Sequence, residues 1–210
     1  LSKTSGEKEN NFSINLTLGI KRYLSISELR GLMFLNLAVS AGGSMVLVNT
    51  IILVRSSLEL SEIAFSITML IFGAGCIFAA IIIPYLSKVM TASRIMLAGS
   101  NLLSVVFVAL AFWLILFDFI WFVLLLAWFI SGFGYTLLLT PIGRVIRRVS
   151  SVDEFSQVYS AQFSLSHLCW LFMYPLSGYL MTISGAPYTL LTLAMLMVCS
   201  NIIAARHFRC

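Results

Sequence analysis

Six apolar runs divide this sequence, each close to the ~20 residues that carry a helix across a bilayer. They lie at about 29–54, 62–86, 95–116, 119–141, 154–182 and 187–205. Lipid offers backbone N–H and C=O groups no partner, so each run must close its own hydrogen bonds as a helix. The chain is 60% hydrophobic and only 10% charged, with a mean hydropathy of +1.02. A soluble domain carries about 25% charged residues, and a core of this size could not hide the difference. The expected fold is an all-α membrane protein with six transmembrane helices. Residues 1–28 read as a polar cytoplasmic linker, 29–205 as the bundle and 206–210 as a cytoplasmic C-terminus.

Charge sets the orientation. All but Arg55 of the 13 Lys and Arg residues fall in the N-terminal tail, the 87–94 and 142–151 connections and the C-terminus. Those segments share one side of a six-span chain, and the other side holds Arg55, Glu59, Glu62 and Asp118. The positive-inside rule then makes both termini cytoplasmic. The net charge of +5 is accounted for by topology, and no nucleic acid is expected as a partner, because the basic residues separate apolar runs instead of lining one solvated face. The cysteines, Cys76, Cys169, Cys199 and Cys210, have no paired spacing. They read as small hydrophobes, so neither a metal site nor a cofactor is expected. The chain opens on Leu1 without a signal peptide and reads as a piece of something longer.

Local signals mark the helix ends. Ser25-x-x-Glu28 and Ser151-x-x-Glu154 have capping-box spacing, Ser61 can cap the second span, and Pro187 suits the first turn of the last. Leu16 to Leu24, with Lys21 and Arg22, reads either as a short amphipathic surface helix or as a solvated tail. A basic loop is expected over 142–151 and a break at Pro175/Gly178. Spans one to three and four to six run in opposite senses, which permits two inverted three-helix repeats. Gly42-Gly43 in span one echoes Gly132 and Gly134 in span four, and Pro84-Tyr-Leu-Ser in span two echoes Pro175-Leu-Ser-Gly in span five.

Polar residues inside the spans are the candidates for function. Asn36, Ser40, Gly43 and Thr50 share a helical face of span one, and Ser160, Ser164, His167, Tyr174 and Gly178 share one of span five. Span four adds Ser131, Tyr135 and Thr140. Such hydroxyls and amides also serve to join helices. His167 stands apart as the one ionisable residue deep in a span, where ionisable groups are costly and usually functional. Asn36, Ser40, Tyr135, Ser164, His167 and Tyr174 are the expected cavity lining. Gly132, Gly134, Arg144, Pro175 and Gly178 are the expected conformational positions.

From about residue 16 to 205 the chain resembles the C-terminal six-helix half of a major facilitator superfamily transporter. The resemblance rests on Gly132-x-Gly134, the exit at Pro141, the basic 142–151 segment and the Ser-rich helix ending in Pro175-x-x-Gly178. PYLSKVMTASR at 84–94 stands where the family repeats its cytoplasmic loop motif, with Ser87 in place of the usual Asp and only Lys88 and Arg94 keeping the basic character. The resemblance implies gradient-coupled movement of a small solute by alternating access, in an exporter of the bacterial inner membrane. Spans one, two, four and five would line the cavity, and a further N-terminal six-helix half would complete it. No carboxylate lies deep in these spans, so a proton carrier would sit in that other half or be replaced by His167. An intramembrane serine protease would need Gly-x-Ser-Gly, but Phe129 stands where its first glycine belongs. A half-transporter or membrane subunit with no activity of its own remains the other reading.

Overall fold

In the computed structural model, which describes residues 18–208, every long element is a helix. The N-terminal linker up to residue 17, and Arg209 and Cys210, lie outside the described residues. Helix α1 covers 18–25. It is followed by α2 (Ser27–Ile51, extended by a π-turn over Ile52–Ser57), α3 (Glu62–Val89), α4 (Ala92–Leu116), α5 (Trp121–Leu139), α6 (Ile142–Val149) and α7 (Phe155–His207). Five of these are long and apolar enough to cross a membrane. The last is two crossings in one run. Gly185 at φ 74°, ψ 177° interrupts it, a conformation open to glycine alone. The two arms, 155–184 and 186–207, bring the spans to six.

Several end signals act as expected. Ser61 accepts a hydrogen bond from the Ala64 amide at 3.3 Å and opens α3. A cap not anticipated in the sequence, Thr91, does the same for α4 through Arg94 N–H at 3.4 Å. Others do not. Ser25 caps nothing: its hydroxyl donates to the Arg22 carbonyl, and α2 begins after Ile26 without a side-chain cap. Ser151 accepts from Glu154 N–H at 3.4 Å, but the Glu154 carboxylate turns to Arg22. The expected break at Pro175/Gly178 is absent, and the helix runs through both to Gly185. Losing one N–H at Pro175 is tolerable inside a bundle, whereas Gly185, two residues before Pro187, has no helical geometry to continue. The 142–151 segment is also not a loop. Ile142, Val145, Ile146 and Val149 recur at helical spacing, with Val145 and Ile146 buried, and the arginines take the other face of α6.

Packing is organised around α2, whose strongest partner is α7 and which also touches α4 and α5. The outermost helix is α3, packed chiefly on α5 and exposing Ile63, Leu70, Ile77 and Ile81. Glycines set the closest approaches. A Cβ on Gly132 would lie 2.1 Å from the Phe72 carbonyl oxygen, and one on Gly75 would lie 2.0 Å from that of Phe129. So α3 and α5 touch backbone to backbone through a reciprocal glycine pair. On the other side of α5 the approach of α4 is less tight: a Cβ on Gly99 would lie 2.6 Å from the Gly134 carbonyl oxygen, and one on Gly134 3.1 Å from that of Gly99.

The basic turns gather at one end of the bundle. There Ser27 donates to the His207 carbonyl at 3.0 Å, Arg144 bonds Ser87, and Arg22 makes a two-pronged pair with Glu154 at 3.1 and 3.3 Å. At the opposite end Arg55 reaches the Leu60 carbonyl at 3.1 Å and lies 3.9 Å from Glu62. Helix α1 belongs to the basic end and docks on protein. A Cβ on Gly19 would meet the Gln157 carbonyl at 2.7 Å, and Tyr23 is fully buried.

Candidate functional site

A cavity of about 430 Å³ lies between α2, α5, the start of α6 and the first arm of α7. Its rim at the basic end is Thr140, Ile142 and Gly143, and its inner wall carries Asn36, Val39, Tyr135 and Trp170. From α7 come Tyr159, Gln162, Phe163, Ser166 and His167. This is the i, i+3, i+4, i+7 face of that helix. No carboxylate, lysine or arginine lines it.

A chain of hydrogen bonds enters the cavity from α1. The Tyr23 hydroxyl donates to Gln162 Oε1, and Gln162 Nε2 donates to Asn36 Oδ1 at 2.9 Å. Burial pushes the Tyr23 phenol well above its usual range, so it stays protonated and keeps donating. The order of donors leaves Asn36 Nδ2 over. Asn36 is only 3% exposed, and that amide nitrogen is buried without a partner. An unspent buried donor is expensive, about 1–3 kcal/mol, and this one belongs to a residue of the cavity wall.

His167 offers the complementary group. Its Nδ1 lies 2.8 Å from the Phe163 carbonyl. A carbonyl only accepts, so Nδ1 carries the proton and Nε2 is left as the atom that accepts or takes up a proton. The ring also packs on Phe163 at 4.0 Å. Trp170 closes the wall against Gly43, where a Cβ would come within 2.1 Å of the indole edge. We expect Gly43→Ala to push Trp170 into the cavity. Transport should fall several-fold while the protein still folds, because a side chain and not backbone must yield; unchanged transport would show that Trp170 does not shape the path.

Of the expected lining residues, the structure brings Asn36, Tyr135 and His167 together. Ser40 is fully buried, with its hydroxyl returned to the Leu37 carbonyl at 3.0 Å. Ser164 is half-buried, and the Tyr174 ring packs at a tilt on Trp170, 5.0 Å between centroids; neither lines the cavity. Span two, α3, contributes nothing to the lining. The chosen stripe on span five lay to one side of the true face, which runs through 159, 162, 163, 166, 167 and 170. Gln162 was missed, although a lone amide among apolar residues, like Asn36, is itself a signal. Ser131 is fully buried with an unpartnered hydroxyl and makes no bond to His167. Gly132 and Gly134 are helix contacts, Pro175 and Gly178 lie within continuous helix, and Arg144 is at the basic end.

Opposite the rim, the helices are tied. Asn49 Nδ2 donates to Ser177 Oγ at 2.8 Å, and Trp128 Nε1 donates to Thr50 Oγ1 at 2.7 Å. Six apolar helices, a cavity among spans one, four and five, and a basic end agree with the family resemblance, and the sequence profile of the Major Facilitator Superfamily matches residues 32–209. The chain belongs to that superfamily. It is thus an integral membrane protein of a transporter family. No curated protein and no solved structure gives a significant match. The cavity in this superfamily member is lined by aromatic rings, carries no Asp, Glu, Lys or Arg, and presents the Asn36 amide and the His167 imidazole.

Proposed function

We propose that this chain is the C-terminal six-helix half of a secondary transporter that moves a small organic solute by alternating access. The carrying observation is Asn36 Nδ2, a buried donor with no protein partner, in the same cavity as His167. In this reading the solute accepts from Asn36, exchanges a hydrogen bond or proton with His167 Nε2, and stacks on Tyr159 and Trp170. Aromatic walls without fixed charge suit amphipathic organic molecules, which favours an exporter. The basic end is cytoplasmic, as are both termini, and the membrane is a bacterial inner membrane.

Contacts within the bundle support two inverted three-helix repeats. Exchanging spans one, two and three with four, five and six turns the packing of α2 on both arms of α7 into that of α5 on α3 and α4. A pseudo-two-fold in the membrane plane would produce such pairs.

The test uses the full-length protein containing this chain, in proteoliposomes, with ethidium and other amphipathic dyes as trial solutes. His167→Gln keeps a hydrogen-bonding side chain but moves its polar atoms away from the position of the imidazole Nε2. It should fold, and it should weaken the apparent affinity for the dye several-fold. An unchanged affinity would remove His167 from the path. Sidedness is checked separately by single cysteines at Glu59 and Thr91, which should label from opposite faces; labelling of both from outside would overturn the assignment.

A further inference from the structure

The arginines of α6 carry more information than their charge. Topology needs only positive residues on one side, yet from their shared face of α6 these side chains reach different partners. Arg147 turns away and lies 5.7 Å over the Phe155 ring. Arg144 and Arg148, one turn apart, instead line a cleft of about 460 Å³ against the α3–α4 turn, together with Ser87, Lys88 and Thr91.

That cleft is a concentration of unneutralised charge. No carboxylate lines it. The ion pairs among the described residues, Arg22–Glu154 and Arg55–Glu62, lie elsewhere. Arg144 donates to Ser87 Oγ, and Ser87 donates its own proton to the Ile83 carbonyl at 2.6 Å. Ser87 therefore fixes the guanidinium in place without compensating it. The first turn of the 25-residue helix α4 adds backbone N–H groups and a positive dipole end at the same spot. Arg forks match the oxygens of a phosphate.

The rim of the cleft shows what brings the phosphate. Val89 is 79% exposed and Tyr85 64% exposed. The Lys88 ammonium lies 5.6 Å over the Tyr85 ring. A cationic cleft edged by exposed apolar side chains, at the end of the membrane-crossing helices, lies where headgroups meet acyl chains.

We propose that this cleft binds a phosphate group, held by Arg144, Arg148 and Lys88. The phosphate is carried either by an anionic lipid headgroup or by a soluble phosphate.

The experiment measures thermal unfolding of the purified full-length protein in neutral detergent. The probes are phosphatidylglycerol, phosphatidylcholine and inorganic phosphate. Phosphatidylglycerol should raise Tm by on the order of 5 °C in wild type and in Arg147→Gln, with phosphatidylcholine giving much less. The rise should vanish in Arg144→Gln/Arg148→Gln. A rise from inorganic phosphate of the same size, lost in the same double variant, would support the cleft and identify a soluble source. Ser87→Asp guards against a double variant that fails to fold. Its carboxylate would neutralise Arg144 from within, so it should fold and lose the response. Three results would overturn the proposal: no response to either anionic probe in wild type, equal loss in Arg147→Gln, or a full response in Ser87→Asp.

Discussion

Gly132→Ala should abolish most of the folded yield of this protein, although it adds a single methyl group. The added Cβ would lie 2.1 Å from the Phe72 carbonyl oxygen and 3.2 Å from the Cys76 amide nitrogen. Backbone atoms have no alternative rotamer, so α3 and α5 must separate. Overpacking a core that can adjust costs about 1–3 kcal/mol, and a clash against backbone lies at or above the top of that range. Gly75→Ala should behave alike, since its Cβ would meet the Phe129 carbonyl at 2.0 Å. Gly73 is the internal control, because nothing lies within 4 Å of a Cβ there. Monodisperse yield in detergent checks all three. Equal yields for Gly132→Ala and Gly73→Ala would contradict the backbone contact.

Gln162→Leu should have the largest effect on transport among variants that still insert. It removes the acceptor of Tyr23 and the donor to Asn36 together. Two buried polar groups lose their partners, at about 1–3 kcal/mol each, and the Asn36 amide is free to reorient. Transport should drop at least about tenfold, the equivalent of ~1.4 kcal/mol. Tyr23→Phe removes only the outer donor and should fall between Gln162→Leu and wild type. If Tyr23→Phe and Gln162→Leu both transport normally, the chain of hydrogen bonds holds α1 in place and nothing more.

What the sequence made legible follows from which forces act locally. Apolar length marks a membrane helix without knowledge of its neighbours, and so all six spans lie within a few residues of their expected bounds. The cap at Ser61 depends on a residue three positions away and forms as local chemistry dictates. Ser25 failed because α1 ends there, so its hydroxyl had a carbonyl of its own helix to serve. The break at Gly185 is chosen by where the chain must turn between crossings, not by which proline comes first. Tertiary pairing was out of reach. Nothing in the periodicity of span five joins Gln162 to Asn36, 126 residues away, or to Tyr23 in a segment read as linker or surface helix. Periodicity places the polar stripe of span five to within one or two positions, and that offset decides whether Ser164 or Gln162 lines the cavity. His167 is near the boundary between the two stripes and lines the cavity.

The central claim is that a solute occupies the cavity bounded by Asn36, Gly143 and His167. Gly143 gives direct access to it, since a Cβ there meets nothing within 4 Å and the residue lies on the rim. A single cysteine at 143, in the full-length protein without Cys76, Cys169, Cys199 and Cys210, is titrated with a maleimide in the presence and absence of a transported dye. The account predicts that saturating dye slows labelling at least about tenfold, with half-protection at the concentration that half-saturates transport. The same dye should leave a cysteine at Gly73, on α3 outside the cavity, labelled at an unchanged rate. Labelling at 143 that is indifferent to dye, in protein that still transports it, would place the solute path elsewhere.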